Sequence, residues 1–133
     1  MITRIEVSGL EELGRRLQQV ETALKTKILR SAGSEAMQVV KEDMEQHAGF
    51  DPKGKGKHMR ENITIKTKEI KGTNGSVMVT VGPAKDHYMK ARAQEFGTVK
   101  QVAKPFIRPA LDYNKRAVLK VLTQQIRNAL SEY

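Results

Sequence analysis

Apolar residues recur at steps of three and four through the first third of the chain. Leu10, Leu13, Leu17, Val20 and Leu24 fall on one helical face, with Arg15, Arg16, Gln18 and Gln19 turned mostly away. Ser8-Gly9-Leu10-Glu11 has the Ser-x-x-Glu spacing of a capping box, so a helix is expected to begin near Leu10. Ahead of it, the alternation of Ile2, Ile5 and Val7 predicts a short opening strand. Ile28, Ala32, Ala36, Val39, Val40 and Met44 carry the helical pattern on towards Ala48. About 38 helical residues without a break is long for a small domain. An interruption is therefore predicted either around Glu21-Thr22 or within residues 31–34, where Gly33 weakens a helix and Ser34 can cap a new one. Composition leaves both positions open.

The pattern then changes. Residues 49–57 contain three glycines, one proline and three lysines, a composition that defeats helix and sheet alike. They form the heart of a flexible basic loop expected over residues 49–61. Residues 62–68 and 76–81 alternate with period two around Lys71-Gly72-Thr73-Asn74-Gly75, whose Asn-Gly pair signals a turn, and so predict a hairpin closed by Gly82-Pro83. A short helix over residues 86–96 is expected to end at Gly97. Pro105 and Pro109 bracket an extended step. After it Ala110, Leu111, Val118, Val121, Leu122, Ala129 and Leu130 predict a terminal amphipathic helix started by Pro109 and Asp112. The order describes an α+β chain: a small antiparallel sheet, made of the N-terminal strand plus the hairpin, packed against two N-terminal helices and a C-terminal helix. At 133 residues a single domain over residues 1–133 is expected.

Charge sharpens this picture. The net charge is +9, but residues 1–48 hold seven Lys/Arg against eight Asp/Glu, whereas residues 49–133 hold seventeen against seven. All the excess lies in the second part, which favours an acidic partner, either nucleic acid or an acidic protein face. The absence of cysteine excludes disulfides, thiolate metal sites and a cysteine nucleophile. No apolar run approaches the length of a membrane span and the N-terminus lacks the apolar core of a signal peptide, so no membrane association is expected.

Catalytic chemistry finds little support. Gly49-Phe50-Asp51-Pro52-Lys53-Gly54-Lys55 matches Gly-x-x-x-x-Gly-Lys, but Gly56 stands where a phosphate-binding loop needs a hydroxyl, and the string follows a helix and precedes a strand. Asp51 or Glu61 with Glu69-Ile70-Lys71 would suit a metal-dependent nuclease only if the acids converged. His47, His58 and His87 form no ligand pair with one another and read as surface residues. No catalytic residue, metal site or cofactor is therefore assigned. What remains is the loop, where Lys53, Lys55, Lys57 and Arg60 can neutralise phosphates or meet an acidic partner. Phe50 is the only aromatic close to them, so any DNA contact is expected to be independent of sequence.

Val81-Gly82-Pro83, then Glu95-Phe96-Gly97-Thr98, then Pro105-Phe106-Ile107-Arg108-Pro109-Ala110 before a terminal helix, together resemble the tail-completion (head-tail joining) family of siphophages and prophages. The resemblance spans nearly the whole chain and favours a helix break near Glu21-Thr22. Met59, Asn62 and Lys57 depart from the family's usual Leu, Ser and Gly, and Lys90 stands where the family has a tyrosine. The resemblance implies a non-catalytic assembly protein that caps the tail tube as a ring, expected to be a hexamer, and meets the head connector. It would be made in the host cytoplasm and carried in the neck of the virion. Among the motif residues, Gly97 suits a positive φ at a helix end. Phe96 and Phe106 offer large apolar bodies to the core or to a neighbour, with the core expected for both, and Arg108, stiffened between prolines, suits a carboxylate on this or an adjacent subunit, with Glu95 as a candidate partner.

Overall fold

The computed structural model describes residues 10–49, 58–73 and 75–132. Helix α1 (Leu10–Gln18) is followed after a break by α2 (Thr22–His47). Strands β1 (Ile63–Glu69) and β2 (Val77–Pro83) form the hairpin, and α3 (Tyr88–Phe96), α4 (Ile107–Tyr113) and α5 (Lys115–Leu130) complete the order. The α+β arrangement matches the sequence pattern. The expected opening strand and Ser8 lie outside the described residues.

The break falls at the first of the two predicted positions. Gln19 and Val20 donate to Arg16 and Leu17, tightening the last turn of α1, and Glu21 then turns the chain with extended backbone (φ −51°, ψ 139°). Residues 31–34 stay helical because Gly33 is a crossing point. A Cβ there would lie 2.5 Å from Cγ2 of Val79, so the missing side chain lets β2 approach the helix. Tertiary packing overrides the weak helix propensity of glycine.

With 26 residues, α2 is the axis of the fold. Its N-terminal half contributes Ile28 and Ala32 to a cluster with Leu13 and Leu17 of α1 and Ile126 and Leu130 of α5; Val20 and Leu24 pack against it, as the stripe predicts. Its C-terminal half contributes Val40 and Met44 to a second cluster with Ala48, Met59, Ile63, Ala91, Phe106 and Ala110. The hairpin packs on α2. Its register pairs Ile65 with Val81 and Thr67 with Val79 on the half-buried side, and Lys66 with Thr80 and Lys68 with Met78 on the exposed side.

Two boundaries differ from the pattern. The expected loop over 49–61 stops short, because Met59–Asn62 form a 3-10 turn whose Met59 is buried in the second cluster. The terminal helix begins at Ile107, two residues before Pro109, and is interrupted at Asn114. Pro109 fits in the first turn because its missing N–H would have no helical partner there. At the interruption the Asn114 amide donates to Ala110 O and to Asp43 Oδ2, both at 2.7 Å, tying the junction of α4 and α5 to α2.

Candidate functional site

The Glu-Phe-Gly-Thr and Pro-Phe-Ile-Arg-Pro-Ala motifs meet where an arm, made of α3 and the segment 97–106, joins the start of α4. Glu95, in the last turn of α3, turns its carboxylate onto the start of α4: Oε1 accepts from the amides of Phe106 (2.9 Å) and Ile107 (2.8 Å), and Oε2 from the amide of Arg108 (3.2 Å). A carboxylate at a helix N-terminus satisfies amides that have no other partner. Burial disfavours its ionisation, but the amides of Ile107, Phe106 and Arg108 and the Arg108 charge outweigh that, so its pKa is lowered. The expected partnership of Glu95 and Arg108 is thus made through backbone. The guanidinium of Arg108 instead lies 3.7 Å from Asp112 on the exposed face of α4, where Asp112 also meets Lys115.

The adjoining Gln94 is buried and acts as a second staple. Its Oε1 accepts from the amide of Gly49 (2.7 Å), and its Nε2 donates to His47 O (2.8 Å) and Lys104 O (3.1 Å). One side chain thereby joins α3 to the end of α2 and to the returning arm, whose Lys104 amide also donates to Gln94 O. Nothing in the sequence pattern marks Gln94. Its partners are backbone groups, two of them more than forty residues away, and leave no mark on side-chain spacing.

Gly97 ends α3 with φ +79°, and a Cβ there would stand 2.9 Å from Ala103 N, so the position needs glycine twice over. Thr98 and Gln101 then bridge a tight turn. The two phenylalanines part company. Phe106 is 1% exposed, but Phe96 is 76% exposed, correcting its expected place in the core: on α3 it lies on the face opposite the buried Ala91 and Gln94. Met89, Val99 and Val102 are also strongly exposed, at 87%, 105% and 80%. Ala110 is fully buried, Ile107 and Pro109 are partly buried, and Pro105 and Thr98 are exposed.

Lys53, Lys55, Lys57 and Asp51 lie outside the described residues, as does most of the Gly-x-x-x-x-Gly-Lys string. Arg60 donates through Nη2 to Ala48 O (3.3 Å), fixing the turn to the end of α2. The cations that the structure does place on the surface include Lys66 and Lys68 on the hairpin, Lys90, Arg92 and Lys100 on the arm, and Arg116, Lys120 and Arg127 on α5. His87 is buried, correcting its reading as a surface residue. His47 is exposed; a hydrogen bond to Asp43 O raises its pKa against some desolvation, aided by the Asp43 carboxylate at 2.9 Å. Among the described residues no cluster of His, Asp or Glu is suited to a metal, and no helix is long and apolar enough to cross a membrane.

A family model, HK97-gp10-like, described as "Bacteriophage HK97-gp10, putative tail-component", matches residues 11–97, well over half of the chain. The match takes in α1 to α3 and ends at Gly97, before the Pro-Phe-Ile-Arg-Pro segment. No curated protein and no solved structure matches.

Proposed function

Because the chain belongs to the HK97-gp10-like family of bacteriophage tail components, we propose that it completes the tail tube as a ring, a hexamer by resemblance, and offers the surface that receives the head connector. The observation that carries this reading is the stapled arm. Met89, Phe96, Val99 and Val102 are held out into solvent by a segment that Gln94 and Glu95 fix in place. Exposed apolar side chains following one another along a fixed segment are what an interaction surface uses, and each contributes roughly 1.5–3 kcal/mol if fully buried by a partner. A preorganised arm loses little conformational entropy on docking. The work is binding by shape and charge, not turnover, and its partners are other copies of the chain, the tail tube and the head connector. Synthesis in the host cytoplasm precedes incorporation into the virion.

Mixing the protein with cognate tail tubes that lack it, followed by negative-stain microscopy and a head-joining assay, tests the proposal. Capped tube ends and restored joining are expected; bare ends and unjoined heads would overturn it.

A second reading, sequence-independent contact with the DNA that passes through a neck, is favoured by the exposed lysines of the hairpin's outer side and the exposed cations of α5. Affinity for duplex DNA falling steeply between low and physiological salt supports it.

A further inference from the structure

Resting on the ring reading above, we infer that neighbouring copies are joined by the arm: its apolar face, with Arg92 and Lys100, seats on the outward face of α2 of the next copy, where Glu35 and Glu42 stand.

The arm needs a cover. Met89 and Phe96 are seven residues apart on α3 and so share a helical face, and Val99 and Val102 follow directly. By contrast, none of the exposed large hydrophobic residues described lies on α1, α2 or α5. The charge around this face is mainly positive, with the exposed Asp86 just before α3 as an acid among the cations. Lys90, Arg92, Lys100 and Lys104 are all exposed, while the carboxylate of Glu95 is spent on the amides of α4.

The chain carries the complement of that surface. Ser31, Glu35, Gln38, Glu42 and Gln46 form an exposed stripe on α2, opposite the buried Ala36, Val40 and Met44. Glu35 and Glu42 are two turns apart, about 10.5 Å along the axis, and neither makes an ion pair among the described residues. The bond from Asn114 to Asp43 holds the end of α4 against α2, and the preceding Tyr113 is 85% exposed. A cationic arm with apolar side chains thus has, on the same chain, an exposed stripe whose charged residues are Glu35 and Glu42. The two patches differ, as a heterologous ring contact requires, and opposite charges across an interface fix which patches meet.

Charge reversal on each side tests the contact. Arg92→Glu with Lys100→Glu alters the arm, and Glu35→Lys with Glu42→Lys alters the stripe; all four residues are exposed, so circular dichroism and thermal melting should match the unaltered protein. Ring formation, read by crosslinking with and without tail tubes and by negative stain of the tube ends, should weaken at least tenfold in either variant. The chain carrying all four changes should recover assembly with itself. Unaltered protein that forms rings while both variants match it would overturn this contact and leave the ring reading standing. So would variants that still form rings but no longer bind tubes, since the arm would then belong to the tube protein. Failure of the four-change chain to recover, with folding intact, also counts against it. Unaltered protein that leaves tube ends bare overturns both readings.

Discussion

The two hydrophobic clusters and the arm are held by different physics. In the clusters, Leu13, Leu17, Ile28, Val40 and Met44 are buried by apolar packing spread over many side chains. In the arm, two neighbouring polar residues, Gln94 and Glu95, do the fixing, while most of the large apolar side chains face outward. Packing spreads the stabilisation over many contacts and discourages protrusion. Polar staples hold a shape that has little core of its own, and so leave its apolar residues free for a partner.

The sharpest way to test this contrast is the pair of phenylalanines. Phe106→Ala should cost about 3–5 kcal/mol, the usual range for emptying a buried aromatic site. Phe96→Ala should leave stability within roughly 0.5 kcal/mol, as for exposed positions. Urea denaturation of both variants decides it; equal losses would refute the division. Next in size, Gln94→Ala leaves the Gly49 amide and the carbonyls of His47 and Lys104 without this partner, for a loss of about 1–3 kcal/mol. Faster hydrogen exchange at Gly49 and Lys104 should accompany it.

Glu95→Ala removes a helix cap and should cost about 0.5–2 kcal/mol at neutral pH. The folded pKa of Glu95 lies below its unfolded value. Its contribution is therefore complete above the ordinary carboxyl range near about 4.3 and is lost as the pH falls through the lowered folded value. The stability gap between the unaltered protein and Glu95→Gln should close on acidification through that window. The smallest effect belongs to Arg108→Ala, whose ion pair with Asp112 is exposed and should contribute roughly 0.2–1 kcal/mol. Thermal melting of that variant should be nearly unchanged, so any loss of tube capping would report contact with another subunit.

These two kinds of construction also explain what was legible in the sequence. The stripe from Leu13 to Leu24 and the alternation of the hairpin are periodic, and periodicity is the trace that burial leaves. Residue type could not separate Phe96 from Phe106, because what divides them is placement: Phe96 lies opposite the buried Ala91 and Gln94 of α3, whereas Phe106 joins the second cluster. The Gln94 staple left no trace, since an amide that bonds distant backbone groups needs no partner residue of any type. Gly33 misled in one direction only: its low helix propensity suggested a break, but the close approach of Val79 gives the glycine a packing role that local pattern cannot express. Asn114 was passed over for a similar reason, as its partner Asp43 lies seventy-one residues away.

That last contact sets more than a bend. Two helices packed through apolar faces can shift past one another by one turn, about 5.4 Å, and still bury similar surfaces. A polar group that finds its partner in only one alignment removes the alternatives. With its amide shared between Asp43 and Ala110, Asn114 selects a single alignment of α5 along α2. The distance from the arm to the far end of the molecule is then the same in every copy, which is the uniformity that an assembly of identical subunits demands.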